Sequence, residues 1–161
     1  MRLTTRLIVK GADAALAFYR EVFGAELLER YVEPEGGAVV HAALRLEGGT
    51  ILALAEANPG WENRSPEGLG GSPVILSLEV DDVDGLGARM VEAGAEVVFP
   101  IADQFYGKRE GRLRDPFGHL WILSTTTEEL SPEEIEAISA LDRGEEGRRG
   151  PNLDTFDYVP A

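Results

Sequence analysis

Apolar and polar residues alternate along "RLTTRLIVK" (residues 2–10), a period of two that predicts a strand with one buried face. The period then lengthens. In "ADAALAFYREVF" (12–23), Ala15, Phe18, Tyr19 and Val22 recur at helical spacing, and Gly24 stands where a helix stops. Three strand-like runs follow, "AELLERYV" (25–32), "AVVHAALRL" (38–46) and "TILALAE" (50–56), separated by the turn-forming "EPEGG" and "EGG". The same order then returns. "VILSLEV" (74–80) reads as a strand and "DVDGLGARMVEAG" (82–94) as a helix with Val83, Leu86 and Met90 on one face; "EVVFPI" (96–101), "QFYGKREGRLRD" (104–115) and "HLWILST" (119–125) read as strands.

Each half therefore reads βαβββ, and the halves align. A shift of 70 residues lays "FGAELL" (23–28) on "AGAEVV" (93–98), and Gly48 of "LEGGTILALAE" on Gly118 of "RDPFGHLWILS". Two distant landmarks sharing one offset mark a duplicated supersecondary unit of two copies. The intervening "ANPGWENRSPEGLGGSP" is rich in Gly, Pro, Asn and Ser and reads as a linker or a loop over a cleft. We divide the chain into one α+β domain over 1–128, with module one at 2–57, a linker at 58–72 and module two at 73–128. Residues 129–161 form an appendage: "SPEEIEAISALDR" opens with a capping pattern and predicts a short acidic helix, and the rest is a tail expected to be ordered only by docking.

Composition narrows the function classes. With 161 residues, 43% of them hydrophobic, the chain can bury one core. No run of about 18 apolar residues is present to cross a bilayer. The N-terminus enters a strand directly, without the apolar block of a secretory signal, so a cytoplasmic protein is expected. The absence of cysteine excludes disulfides, thiolate metal sites and a Cys nucleophile. A net charge of -14 opposes docking on nucleic acid or anionic lipid. Yet thirteen of the fifteen basic residues are Arg, and Arg89, Arg109, Arg112 and Arg114 fall close together with Lys108, which points to an anionic ligand there.

The duplicated βαβββ unit, "FYREVFGAEL", "VDDVDGLGARMVEAGAEVV" and "DQFYGKREGRLRDPFGHLWILSTTTEELSPEE" together resemble the glyoxalase/bleomycin-resistance/dioxygenase group, the vicinal oxygen chelate superfamily. The last stretch is similar to its PhnB-like branch. The resemblance covers roughly residues 2–135. It implies that the two modules build a curved eight-stranded mixed sheet around a ligand cavity with the helices outside, and that two chains pair as a homodimer. In metal-using members, four His, Glu or Gln side chains hold a divalent ion. By position those sites fall here at Thr4 or Thr5, Leu52 or Ala53, Ile75 and Ile122. Hydroxyl and aliphatic side chains do not hold such an ion. No metal ligand is therefore assigned and no cofactor is expected; a divalent metal stays open only at other positions.

Among the remaining candidates, alternation puts His41 on the face of "VVHAALRL" opposite Val40, Ala42 and Leu44, so it points into the cavity if the apolar face meets the helix. His41 is then a candidate base or ligand donor, against a structural imidazole. Glu56 ends its strand beside the linker as a second candidate base, against an ordinary solvated carboxylate. His119 follows the turn glycine and is read first as fixing the turn. Tyr106, Arg109, Arg112 and Arg114 bring a phenol and three guanidiniums into one hairpin, with Arg112 and Arg114 on a common face beside Glu110. They suit a carboxylate or phosphonate, against ion pairing with Asp103, Glu110 or Asp115. Trp61 in the linker either lids the cavity or anchors the loop. Two function classes stay open: a metal-free module binding a small organic molecule, anionic or neutral, or a lyase, isomerase or dioxygenase-type enzyme using a base or a metal.

Overall fold

The computed structural model describes residues 3–149, with side chains to residue 141. Module one consists of β1 (Thr5–Val9), α1 (Ala12–Phe23), β2 (Glu26–Val32), β3 (Val39–Arg45) and β4 (Ile51–Glu56). A short helix, α2 (Pro66–Leu69), lies in the linker. Module two repeats the order as β5 (Ile75–Glu79), α3 (Val83–Glu92), β6 (Glu96–Gln104), β7 (Lys108–Arg114) and β8 (Leu120–Thr126), and α4 (Pro132–Arg149) follows. The tail from residue 150 lies outside the described residues.

Each module forms one mixed four-stranded sheet, in the orders β1-β4-β3-β2 and β5-β8-β7-β6. The β1–β4 and β5–β8 pairs are parallel and the others antiparallel. The eight strands are thus divided between two sheets. At the edge of β1, the Ile8 carbonyl accepts a hydrogen bond from His119 Nε2 at 3.1 Å, so a turn of module two meets that edge at this point.

One face of each sheet is closed by its helix. The apolar sides of α1 (Ala12, Ala15, Leu16, Tyr19, Val22) and α3 (Val83, Leu86, Met90) are buried, as their spacing predicts. They share one hydrophobic core with Leu7, Leu44 and Leu54 of sheet one and Leu113, Trp121 and Leu123 of sheet two. The modules join there. Phe23 of α1 packs on Trp121 of β8 at a centroid distance of 5.0 Å, and Phe18 packs edge-on against Phe117. Because period two sends alternate residues to opposite sides, the second face of each sheet lies away from the helices and carries the polar positions.

Candidate functional site

On sheet one the open face is set by register. Arg6 on β1 stands beside Ala53 on β4, which stands beside Ala43 on β3. Strands two apart are separated by about 10 Å, yet Arg6 Nη2 and His41 Nδ1 are 2.9 Å apart. The small Ala43 and Ala53, both buried, leave room above β4 for the two side chains to meet. Arg can only donate, so Nδ1 accepts and the imidazole proton sits on Nε2, which donates to Glu29 Oε2 at 3.2 Å. Tyr31, a residue 57% exposed, stacks on the imidazole at 5.9 Å and 17°. His41 therefore lies on the sheet face away from the helix, the side that alternation gives it, in a chain of Arg6, His41 and Glu29.

The open face of sheet two gathers Ser77 and Glu79, Phe99, Lys108, Glu110 and Arg112. The Arg112 guanidinium lies over the Phe99 ring at 5.2 Å. Tyr106 donates to Glu110 Oε1 at 3.0 Å, and partial burial with this carboxylate pushes the phenol up to about 12. Lys108 pairs with Glu79 at 3.0 Å, and Thr126 hydrogen-bonds the same carboxylate.

The structure separates the expected arginine cluster. Arg112 and Arg114 do share the open face of sheet two, but Arg109 has the opposite orientation. Its guanidinium grips both oxygens of Asp84 on α3, at 2.7 and 2.9 Å, and also binds Asp103, so it ties helix to sheet. Arg114 pairs with Glu96 on the neighbouring strand at 3.1 Å. Glu56, expected as a base at a cavity mouth, instead accepts from the backbone N–H groups of Gly11 at 2.9 Å and Ala12 at 2.7 Å. Both its oxygens hold the start of α1. Trp61 is 56% exposed on a 3-10 turn of the linker.

His119 fixes the turn, as read from the sequence, and its partner there is a residue the sequence reading underrated. Asp115, 3% exposed, accepts four hydrogen bonds: Tyr19 hydroxyl at 2.6 Å and Trp121 Nε1 at 2.8 Å on Oδ2, and the backbone N–H groups of Phe117 and His119 at 2.9 Å on Oδ1. One buried carboxylate thus joins α1 of module one to β8 of module two. Burial holds the His119 imidazole below its ordinary value, against the opposing pull of Asp115 and the Ile8 carbonyl. Burial beside Asp115 likewise pushes the Tyr19 phenol well up. Arg6 was also missed, since its partner His41 is 35 residues away and only sheet register brings them together.

The positions carried over for a metal do not fit one. Thr5 and Leu52 pair on the helix side of sheet one, whereas Ala53, Ile75 and Ile122 lie on open faces with no donor atom in their side chains. Among the described residues, no group of three or more His, Cys, Asp or Glu side chains is placed to hold a metal ion.

Two open clefts mark the module junctions. One, about 420 Å³, lies between the Leu46–Gly48 turn and Leu78–Asp82; the other, about 640 Å³, lies between Lys10, the linker and Pro116–Gly118. Gly48 and Gly118, and likewise Lys10 and Val80, are 70 residues apart, so the clefts are counterparts within the repeat.

Two βαβββ modules sharing a core, each with one sheet face under a helix and one left open, define a paired-module fold. The chain belongs to the glyoxalase/bleomycin resistance protein/dioxygenase superfamily, whose family model matches residues 3–123. An uncharacterised protein from Mycobacterium bovis is 39% identical over 137 residues, spanning 84% of this chain and 90% of that protein. Among solved structures, TioX from Micromonospora sp. ML1 is 29% identical with a TM-score of 0.59, covering 78% of this chain and 98% of TioX. A gene product of Arabidopsis thaliana is 26% identical with a TM-score of 0.62, over 77% of this chain and 98% of that one. Among the described residues, no helix is long and apolar enough to cross a membrane.

Proposed function

We propose that this protein binds a small organic molecule on the open faces of its sheets, without a metal, as a cytoplasmic homodimer of the PhnB-like branch. The observation that carries this reading is the make-up of those faces. In each module the helix side is filled with aliphatic and aromatic side chains; the opposite side presents Arg6, His41 and Tyr31 above the small Ala43 and Ala53 on sheet one, and Arg112 over Phe99 beside Glu110 and Ser77 on sheet two, without metal-ligating side chains at Ala53, Ile75 and Ile122. The PhnB-like placement rests on the stretch from Asp103 to Glu134. Capture of Glu56 by the start of α1 leaves the base-catalysed alternative with His41 alone.

The test is elemental analysis and native mass spectrometry of the full chain, followed by a thermal-shift screen of small organic molecules on chelator-treated protein. The expected result is no stoichiometric transition metal, together with stabilisation of the metal-free protein by at least one compound. Near one equivalent of zinc, nickel or iron, or stabilisation that disappears on chelation, overturns the reading.

A further inference from the structure

We propose that Arg6, His41 and Tyr31 form a recognition site for an aromatic carboxylate on the open face of sheet one. This rests on the reading that the open faces hold the ligand, and it names the class of ligand and the residues that select it.

The first argument is charge. In a chain of net charge -14, the basic side chains Lys10, Arg30, Arg45, Lys108, Arg109 and Arg114 all pair with carboxylates. Arg6 does not. Its hydrogen-bond partner is the uncharged Nδ1 of His41, so its positive charge is held in place without being neutralised. A bond from one Nη2 hydrogen leaves the rest of the guanidinium fork for an incoming acceptor, and that planar fork matches a carboxylate through two parallel hydrogen bonds.

Position supplies the second argument. Arg6 is anchored at its tip by an imidazole that is itself anchored to Glu29, so two hydrogen bonds orient the guanidinium before any ligand arrives. Pre-orientation lowers the entropy that binding must offset. Glu29 also limits the ligand's charge: a carboxylate beside the site repels a dianion more than a monoanion, which favours a carboxylate over a phosphonate.

The third argument is the ring. Tyr31 lies parallel to His41, and more than half of its surface is open. A flat aromatic body joined to the carboxylate can rest on this ring while its charge reaches Arg6, and aromatic pairs prefer such offset stacking.

The experiment is an NMR titration of the full chain at low salt with benzoate, benzamide and phenylphosphonate. Benzoate is expected to bind, with benzamide and phenylphosphonate each at least tenfold weaker. Arg6→Gln should weaken benzoate about ten- to hundredfold, the range of a charge-assisted bond. Arg6→Lys, which keeps charge but loses the fork, should fall between them, and Tyr31→Ala should weaken it about two- to tenfold. Arg30→Gln, on the helix side of sheet one where Arg30 pairs with Asp13 of α1, should leave binding unchanged. Because Arg6 and Tyr31 are exposed, unchanged amide spectra away from the site will show that the variants fold. Benzoate binding that is absent, that survives Arg6→Gln, or that is matched by benzamide overturns the site. If other compounds still stabilise the protein, the small-molecule reading stands without it.

Discussion

At the scale of single residues, the junction depends on how Asp115 and His119 are satisfied. Asp115 is a buried carboxylate whose four hydrogen-bond donors, all uncharged and each worth about 1.5–3 kcal/mol to a charged acceptor, offset its loss of hydration. His119 is buried with its Nε2 proton on the Ile8 carbonyl and its pKa held below 6.5. As pH falls below 6.5 the unfolded chain takes up a proton at this position that the folded chain does not, so stability falls with pH until the lowered folded value is reached. The expected slope is no steeper than about 1.4 kcal/mol per pH unit, the limit for one proton. Urea denaturation between pH 7.5 and 5.5 checks this. His119→Gln, which keeps a donor for Ile8, should show a shallower fall than the wild-type protein, and equal slopes in the two would remove His119 from the account. The sequence showed His119 and Asp115 to be near a turn. It did not show that they bridge the modules, because Tyr19 lies 96 residues from Asp115.

At the scale of elements, periodicity was the readable signal, and its failures have local causes. The first helix runs over Ala12–Phe23, the range its apolar spacing predicts. The strand read as residues 96–101 continues to Gln104. Pro100 lies within it, and β6 accommodates a residue without an N–H because it is an edge strand with register shifts on either side of Phe99. The four-residue α2 is too short to show a period; Ser65 caps it through Gly68 N, and Pro66 sits in its first turn. The start of α1 is the most informative case. Gly11 has a left-handed backbone and no side chain to cap the helix, so the cap comes from Glu56, 45 residues on. Removing this carboxylate leaves two amide N–H groups at the helix start without their acceptor. Glu56→Ala should therefore cost about 1 kcal/mol, within the range for lost caps, seen as a lower denaturation midpoint at an unchanged m-value. A midpoint equal to wild type would mean that water replaces Glu56 at no cost.

At the scale of the whole molecule, the open faces pose a problem that a second copy would solve. Tyr31 on sheet one and Ile75 and Phe99 on sheet two are each at least 40% exposed, and the chain also leaves β2 and β6 as outer edges. Apolar groups on an open sheet and unpaired edges favour association. The repeat determines which association closes. Because module two repeats module one, a two-fold pairing can set sheet one of each copy against sheet two of the other, covering both faces of both chains at once. No complementary face is then left to extend a filament. The same pairing would enclose the Arg6 and His41 face against the Arg112 and Phe99 face, making a cavity that one chain does not close alone. Light scattering at micromolar concentration should give about twice the chain mass of 17.4 kDa. Substituting Phe99 by Glu, which places a charge on a face meant to be covered, should shift the mass toward that of one chain. A wild-type mass of one chain would refute the pairing, as would a concentration-dependent ladder of larger species, since the faces would then be joining head to tail without closing.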